Sequence, residues 1–152
     1  MTNDAVQLSM ALTWQHGLGS LTAFFAGLER GVIIGSQCTG CRHTSVPPRG
    51  RCPHDGAAMQ QVELPPVGVV FGVTTGPASR LLETDGDVHI FAEVQIDGSD
   101  NRILARIDPA AGRVSTGSRV VLVQIRSRST HPVQHLVFMA DQTAFPDTVV
   151  DA

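Results

Sequence analysis

The chain has 152 residues, and its 42% hydrophobic and 16% charged residues describe a globular protein of one large domain or two small ones. Its net charge is -3, so no basic field attracts nucleic acid or an anionic membrane. Arginine takes the place of lysine throughout the chain. The N-terminus lacks the pattern of a signal peptide, and no apolar run approaches the roughly 18 residues of a membrane helix. We therefore expect a cytoplasmic protein with reduced thiols.

Residues 1–34 are predicted to form an N-terminal arm. Residues 5 to 14 alternate between apolar and polar types, which predicts an extended segment that ends at Trp14. Ser20 is a candidate N-cap for a helix from Leu21 to about Arg30, and Gly31 is expected to end it. One apolar stripe follows the helical period, at Leu21, Phe24, Phe25 and Leu28.

All three cysteines lie within 15 residues, where Cys38 and Cys41 form a Cys-x2-Cys pair and Cys52 opens a Cys-Pro-His-Asp segment. A Cys-x2-Cys turn beside a glycine lets two thiolates converge on one cation, and a second such turn completes a tetrahedron. The alternative is three buried cysteines without a metal, but Gly, Pro and Arg surround them, and core cysteines have apolar neighbours. This spacing predicts a zinc ribbon over residues 35–64, with one zinc ion.

The fourth ligand of this site is not a cysteine. The second turn places Asp55 at the ligand position, and a carboxylate oxygen binds zinc at about the same distance as a histidine nitrogen. His54 is the alternative, although its position directly after a proline turns its side chain another way, and His43 is a weaker candidate. We predict ligation by Cys38, Cys41, Cys52 and Asp55, and a zinc with four protein ligands is structural because no position is open to substrate.

Residues 65–141 carry only β signals. Strands are predicted at 69–75, 88–96, 102–107, 119–125 and 134–140, because β-branched runs and strict alternation fill these ranges between turn residues. Gly72 interrupts the first strand, as a bulge or a sharp coil requires. Five strands with a long connection between the third and fourth favour an oligonucleotide/oligosaccharide-binding (OB) barrel over a generic sandwich. A polar tail, 142–152, completes this mainly β chain.

The order of these parts carries a family resemblance. A helix that ends in Leu-Glu-Arg-Gly is followed by Ile-Gly-Ser-Gln-Cys-Thr-Gly-Cys, Val-Pro-Pro-Arg, Cys-Pro and an OB-like region. This succession resembles the acyl-CoA-associated family that joins a rubredoxin-like zinc ribbon to an OB domain, whose members usually have a cysteine where this chain has Asp55. The resemblance implies an accessory subunit of a thiolase, of a thiolase-like condensing enzyme or of an enoyl-CoA hydratase, which helps to hold or pass the coenzyme A thioester.

The residues themselves favour a non-catalytic role. The chain has no Gly-x-Ser-x-Gly, no phosphate-binding glycine loop before a lysine and no His-Glu-x-x-His, and its cysteines are assigned to the metal. An acyltransferase or hydratase subunit with an active-site residue of its own remains a further alternative. A single-stranded nucleic-acid binder on the OB barrel is another alternative, but it needs a basic groove with stacking aromatics, and this chain is acidic and has no tyrosine.

Two further sites are predicted for an accessory subunit. Arg126 and Arg128, near His131, form the only cationic cluster of the β region, and arginine matches the phosphate oxygens of coenzyme A. The second site is an apolar surface for the catalytic subunit of a hetero-oligomer, because a thin ribbon cannot cover so much of the N-terminal arm. This surface consists of Trp14, Leu21, Phe24, Phe25 and Leu28.

Overall fold

The computed structural model describes residues 17–77, 88–108, 110, 112–123 and 136–141. In these ranges the chain forms one helix and eight strands. They are a 3-10 turn Gly19–Leu21, α1 (Thr22–Glu29), β1 (Ile33–Cys38), β2 (Thr44–Ser45), β3 (Met59–Leu64), β4 (Val67–Pro77), β5 (Val88–Ile96), β6 (Arg102–Ile107), β7 (Arg119–Leu122) and β8 (Val137–Ala140). No described helix has the length and apolar character needed to span a membrane.

Helix α1 begins one residue later than predicted, and its N-cap residue, Leu21, makes no side-chain capping bond. The helix ends as the sequence predicted, because Gly31 adopts a positive φ of 77°. The N–H of Gly31 then bonds the carbonyl of Leu28 at 3.1 Å, and the N–H of Val32 bonds that of Gly27 at 3.0 Å. This pair of bonds is a Schellman motif, which turns the chain directly into β1.

The first sheet is the ribbon, with strand order β2-β1-β3 and antiparallel pairing throughout. Strand β1 is its centre: Ile33 pairs with Leu64 at one end, and Cys38 pairs with Met59 at the other. Because β1 carries Cys38 at its last position, the central strand delivers the first sulfur to the metal site.

The second sheet is a closed barrel with strand order β4-β5-β6-β8-β7. All pairs are antiparallel except β6 with β8, which run parallel through Arg106 and Ile107. The register of β4 shifts between Val70 and Gly72, so the predicted irregularity at Gly72 is a β-bulge. The mainly β fold with a ribbon and a five-stranded OB-like barrel is confirmed. A strand is present in each of the five predicted ranges, although β7 ends at Leu122 and β8 begins at Val137, inside the predicted bounds.

Helix, ribbon and barrel share one hydrophobic core. It joins Phe24, Leu28 and Val46 to barrel residues such as Val94 and Phe138. Phe24 is 3% exposed and Leu28 is 2% exposed, so the predicted open stripe does not exist at these two positions. Burial of each side chain stabilises the fold by about 1.5–3 kcal/mol, because apolar surface leaves water. The shared core therefore covers these two side chains of the helix.

A short seam holds the free edge of β2 against the turn between β5 and β6. Thr44 donates its N–H to Asp100 Oδ2 at 2.8 Å and accepts the N–H of Asp100 on its carbonyl at 2.9 Å. Within the ribbon, Thr44 lies opposite Gln37 of β1, and Ser45 lies opposite Ser36. The turn between β5 and β6 therefore bonds the free edge of β2 as a further strand would, and it fixes the cysteine turns relative to the barrel.

Candidate metal centre

The first cysteine turn follows β1 immediately. The N–H groups of Gly40 and Cys41 both point at Cys38 Sγ, at 3.3 Å and 3.4 Å. Outside the turn, Cys38 donates its own N–H to the carbonyl of His43 at 2.8 Å, which brings the chain back along β2. Backbone N–H groups that surround a sulfur stabilise its thiolate, which is the form that binds metal.

The second turn repeats this arrangement around Cys52. His54 donates its N–H to Cys52 Sγ at 3.4 Å, and Gly56 donates to the Cys52 carbonyl at 3.0 Å. Gly56 has a positive φ of 71°, which a glycine adopts without strain. The turn then closes through the N–H of Cys52 on the carbonyl of Ala57 at 2.9 Å, so Asp55 lies on a tight, hydrogen-bonded loop.

The two turns bring four ligand atoms together. The Sγ atoms of Cys38, Cys41 and Cys52 and a carboxylate oxygen of Asp55 all lie within 4.8 Å of one another. Cys41 Sγ is 3.5 Å from Cys52 Sγ, and Cys38 Sγ is 3.4 Å from both oxygens of Asp55. Tetrahedral zinc with bonds of about 2.3 Å to sulfur places neighbouring sulfurs about 3.8 Å apart, so the donor set fits this cation.

The histidines named as alternatives lie elsewhere. The rings of His43 and His54 meet edge to face with their centroids 4.4 Å apart, and neither belongs to the cluster. His43 Nδ1 lies 3.6 Å from Asp100 Oδ2, at the seam with the barrel. The two rings therefore connect the cysteine turns to each other and to the seam.

Local hydrogen bonds prepare two of the ligands for a cation. The N–H of Ala57, which Oδ1 accepts at 3.0 Å, and then the Cys52 thiol lower the pKa of Asp55 to about 2. Burial raises the pKa of Cys38, but the N–H groups of Cys41 and Gly40 outweigh burial and lower this pKa overall. Both groups thus favour the charged form that coordinates a metal.

The other predicted site residues that the structure describes do not belong to this cluster. Leu21 and Phe25 are half-buried, and Phe25 packs against the core. Trp14, Arg126 and Arg128 lie outside the described residues. The sequence pattern placed a glycine beside the first cysteine turn but did not show that Gly40 approaches Asp55. It also did not identify the seam residues Asp100 and Asn101, because the turn residues between the strands predicted at 88–96 and 102–107 indicated a hairpin and not a contact with the ribbon.

The ribbon is similar to a known family of domains. Residues 25–60 match the family described as ChsH2, rubredoxin-like zinc ribbon domain. No curated protein sequence is significantly similar to the chain.

Two solved structures share the fold. A protein of unknown function from the DUF35 family of Sulfolobus solfataricus has a TM-score of 0.58 and 21% identity, over 80% of this chain and 85% of the other. The structure named Ltp2-ChsH2(DUF35) aldolase has a TM-score of 0.55 and 19% identity, over 79% of this chain and 93% of the other. The ribbon match and the shared fold are consistent with the predicted resemblance to proteins that join a zinc ribbon to an OB-like barrel.

Proposed function

We propose that this chain is a non-catalytic, zinc-containing accessory subunit of an acyl-CoA-processing enzyme complex, with a thiolase-like catalytic subunit as its partner. The observation that carries the proposal is the joint presence of a ChsH2-type ribbon and a barrel in one chain, with every cysteine of the chain in the ribbon cluster. A chain with no other thiol has no cysteine nucleophile to offer, so the partner supplies the covalent chemistry.

In this proposal zinc is bound by Cys38, Cys41, Cys52 and Asp55 and has a structural role. When bound, zinc supplies a cross-link between the two turns, and four ligands from the chain leave no position for substrate. Cys38 and Cys52 are buried and tie the site to the ribbon, while Cys41 and Asp55 lie at the surface. Most of the folding free energy of a small ribbon comes from such a cross-link, so we expect metal removal to loosen residues 35–64.

The partner is inferred from the name of a structural neighbour and from the sequence resemblance. The name Ltp2-ChsH2(DUF35) aldolase couples a ChsH2 component of the DUF35 type with an aldolase, which supports a role beside a catalytic chain. A more specific proposal is that the complex is benzoylsuccinyl-CoA thiolase of anaerobic toluene degradation, because the order of motifs in this chain resembles that of its small zinc-finger subunit. An enoyl-CoA hydratase is the alternative partner in the same family.

Burial changes which residues we propose for the partner surface. Phe24 and Leu28 face the core of this chain, so the surface is restricted to Leu18, which is 37% exposed, and to half-buried Leu21 and Phe25. Trp14 stays in the proposal as a residue outside the described ranges. Aspartate at an exposed position of this surface disrupts an apolar interface without opening the core.

Co-expression with the enzymes encoded beside this chain tests the proposal. We expect the wild type to co-purify with a thiolase-like enzyme, and the isolated chain to turn over no acyl-CoA. Leu18→Asp should weaken co-purification, while Leu104→Asp, at a leucine that is 67% exposed on the barrel, should not. Turnover of an acyl-CoA by the isolated chain, or a monomer that binds none of these enzymes, would contradict the accessory role. Co-purification with a hydratase would instead identify the hydratase, and not a thiolase, as the partner.

A further inference from the structure

One contact of the metal cluster involves a residue that is not a ligand. A Cβ atom added at Gly40 would lie 2.7 Å from Asp55 Oδ2, which is closer than real Cβ atoms approach an oxygen. The same atom would lie 3.7 Å from Asp55 Cγ and 3.6 Å from the Cβ of Ala57, which are ordinary contacts. The space beside Gly40 is therefore filled by one carboxylate oxygen and by nothing else at close range.

The backbone does not explain why this position is glycine. Gly40 has no positive φ, unlike Gly56 in the second turn, so an alanine at position 40 meets no backbone strain. Its N–H bond to Cys38 Sγ is available to any residue except proline. What glycine provides here is the absence of a side chain next to Asp55.

The fourth ligand also differs from the other three in chemistry. A carboxylate oxygen is a harder donor than a thiolate, and Asp55 lies with Cys41 on the exposed side of the cluster. One of its oxygens is held by the N–H of Ala57, and the other lies against Gly40. The carboxylate is thus oriented on both sides before any cation arrives.

We propose that Asp55 and Gly40 form a matched pair that sets the metal selectivity of this site. Asp55 makes the site less favourable for soft cations such as Cd²⁺, relative to Zn²⁺, than four thiolates would be. Gly40 is a positioning residue. Because it has no side chain, the Asp55 oxygen can occupy the position from which it would coordinate the metal. This inference rests on the zinc site of the proposed function and goes beyond it by assigning the selectivity to two residues.

A double-mutant cycle tests the pair. In Asp55→Cys the sulfur takes roughly the place of Cγ, 3.7 Å from a Cβ at position 40, so Gly40→Ala should fit there. We expect Gly40→Ala to weaken zinc binding by about tenfold or more in the native background, because the added Cβ displaces the Asp55 oxygen, and by less than about threefold in Asp55→Cys. Competition with a chromophoric chelator measures Zn²⁺ and Cd²⁺ affinities, and Asp55→Cys should raise the preference for Cd²⁺.

Gly50→Ala is the matched control, because it lies in the same ribbon and a Cβ there would meet nothing within 4 Å. The absorption of the Co²⁺-loaded proteins reports the number of thiolate ligands, which should rise from three to four in Asp55→Cys. Equal losses from Gly40→Ala in both backgrounds, or an unchanged preference for Cd²⁺, would overturn the inference while the zinc site stands. A wild-type chain that binds no zinc would overturn the zinc site of the proposed function as well.

Discussion

Val46 of the ribbon and Asn101 of the barrel bond each other as two paired strand residues do, although Asn101 uses its side chain. The N–H of Val46 donates to Asn101 Oδ1 at 2.8 Å, and Asn101 Nδ2 donates to the carbonyl of Val46 at 2.7 Å. Val46 is 1% exposed, so water does not replace these partners. With Thr44 and Asp100, this pair joins the two sheets at two alternate residues of one chain edge.

We predict that Asn101→Ala destabilises the protein by about 2–3 kcal/mol, because a buried N–H and a buried carbonyl lose their partners together. Urea denaturation of the zinc-loaded protein measures this loss. Asn101→Asp is the discriminating variant, since it keeps the acceptor for Val46 but replaces the donor with a charged oxygen. A stability of Asn101→Asp equal to that of the wild type would show that the donated bond does not hold the seam.

The second prediction concerns zinc content. The purified chain should contain about one zinc, which Cys52→Ser and Asp55→Ala reduce and which His54→Ala leaves unchanged, because the His54 ring packs on His43 and not on the cluster. Metal analysis by mass spectrometry gives the ratio. Full retention in Asp55→Ala with loss in His54→Ala would show that the fourth ligand is the histidine.

Two glycines of β4 should differ in how much stability is lost when each is replaced by alanine. A Cβ at Gly68 would lie 2.5 Å from the carbonyl oxygen of Gln95, a backbone atom that cannot move aside cheaply, whereas a Cβ at Gly72 would meet nothing within 4 Å. Gly68→Ala should therefore cost about 3 kcal/mol of unfolding free energy, and Gly72→Ala less than about 1 kcal/mol. Thermal unfolding compares the two. A similar cost for both would mean that the barrel relaxes around Gly68.

The last prediction addresses coenzyme A. If this chain contacts the cofactor in the complex, arginine on phosphate should provide the affinity, with Arg126 and Arg128 as the first candidates. Titration of the complex should give weaker binding for dephospho-CoA than for CoA. Arg126→Ala or Arg128→Ala should reduce this difference in affinity between the two ligands. Equal affinities for both ligands, unchanged in the variants, would remove these residues from the proposal.

The sequence alone determined the parts of this protein that depend on neighbouring residues. The end of α1 at Gly31, the alternation of β5 and the two cysteine turns are local, since glycine conformation, side-chain period and ligand spacing each involve only a few consecutive positions. For the same reason, the order of ribbon and barrel and the family resemblance could be predicted from the sequence without knowledge of any tertiary contact.

Only the tertiary structure decided which surfaces meet. The apolar stripe of α1 was correctly read as apolar, but its period could not show that Phe24 and Leu28 face the chain's own core and not a partner. The contacts of Asn101 with Val46, and of Gly40 with Asp55, join residues 55 and 15 positions apart. Such contacts depend on how strands and turns are oriented in three dimensions, and no pattern of neighbouring residues encodes that orientation.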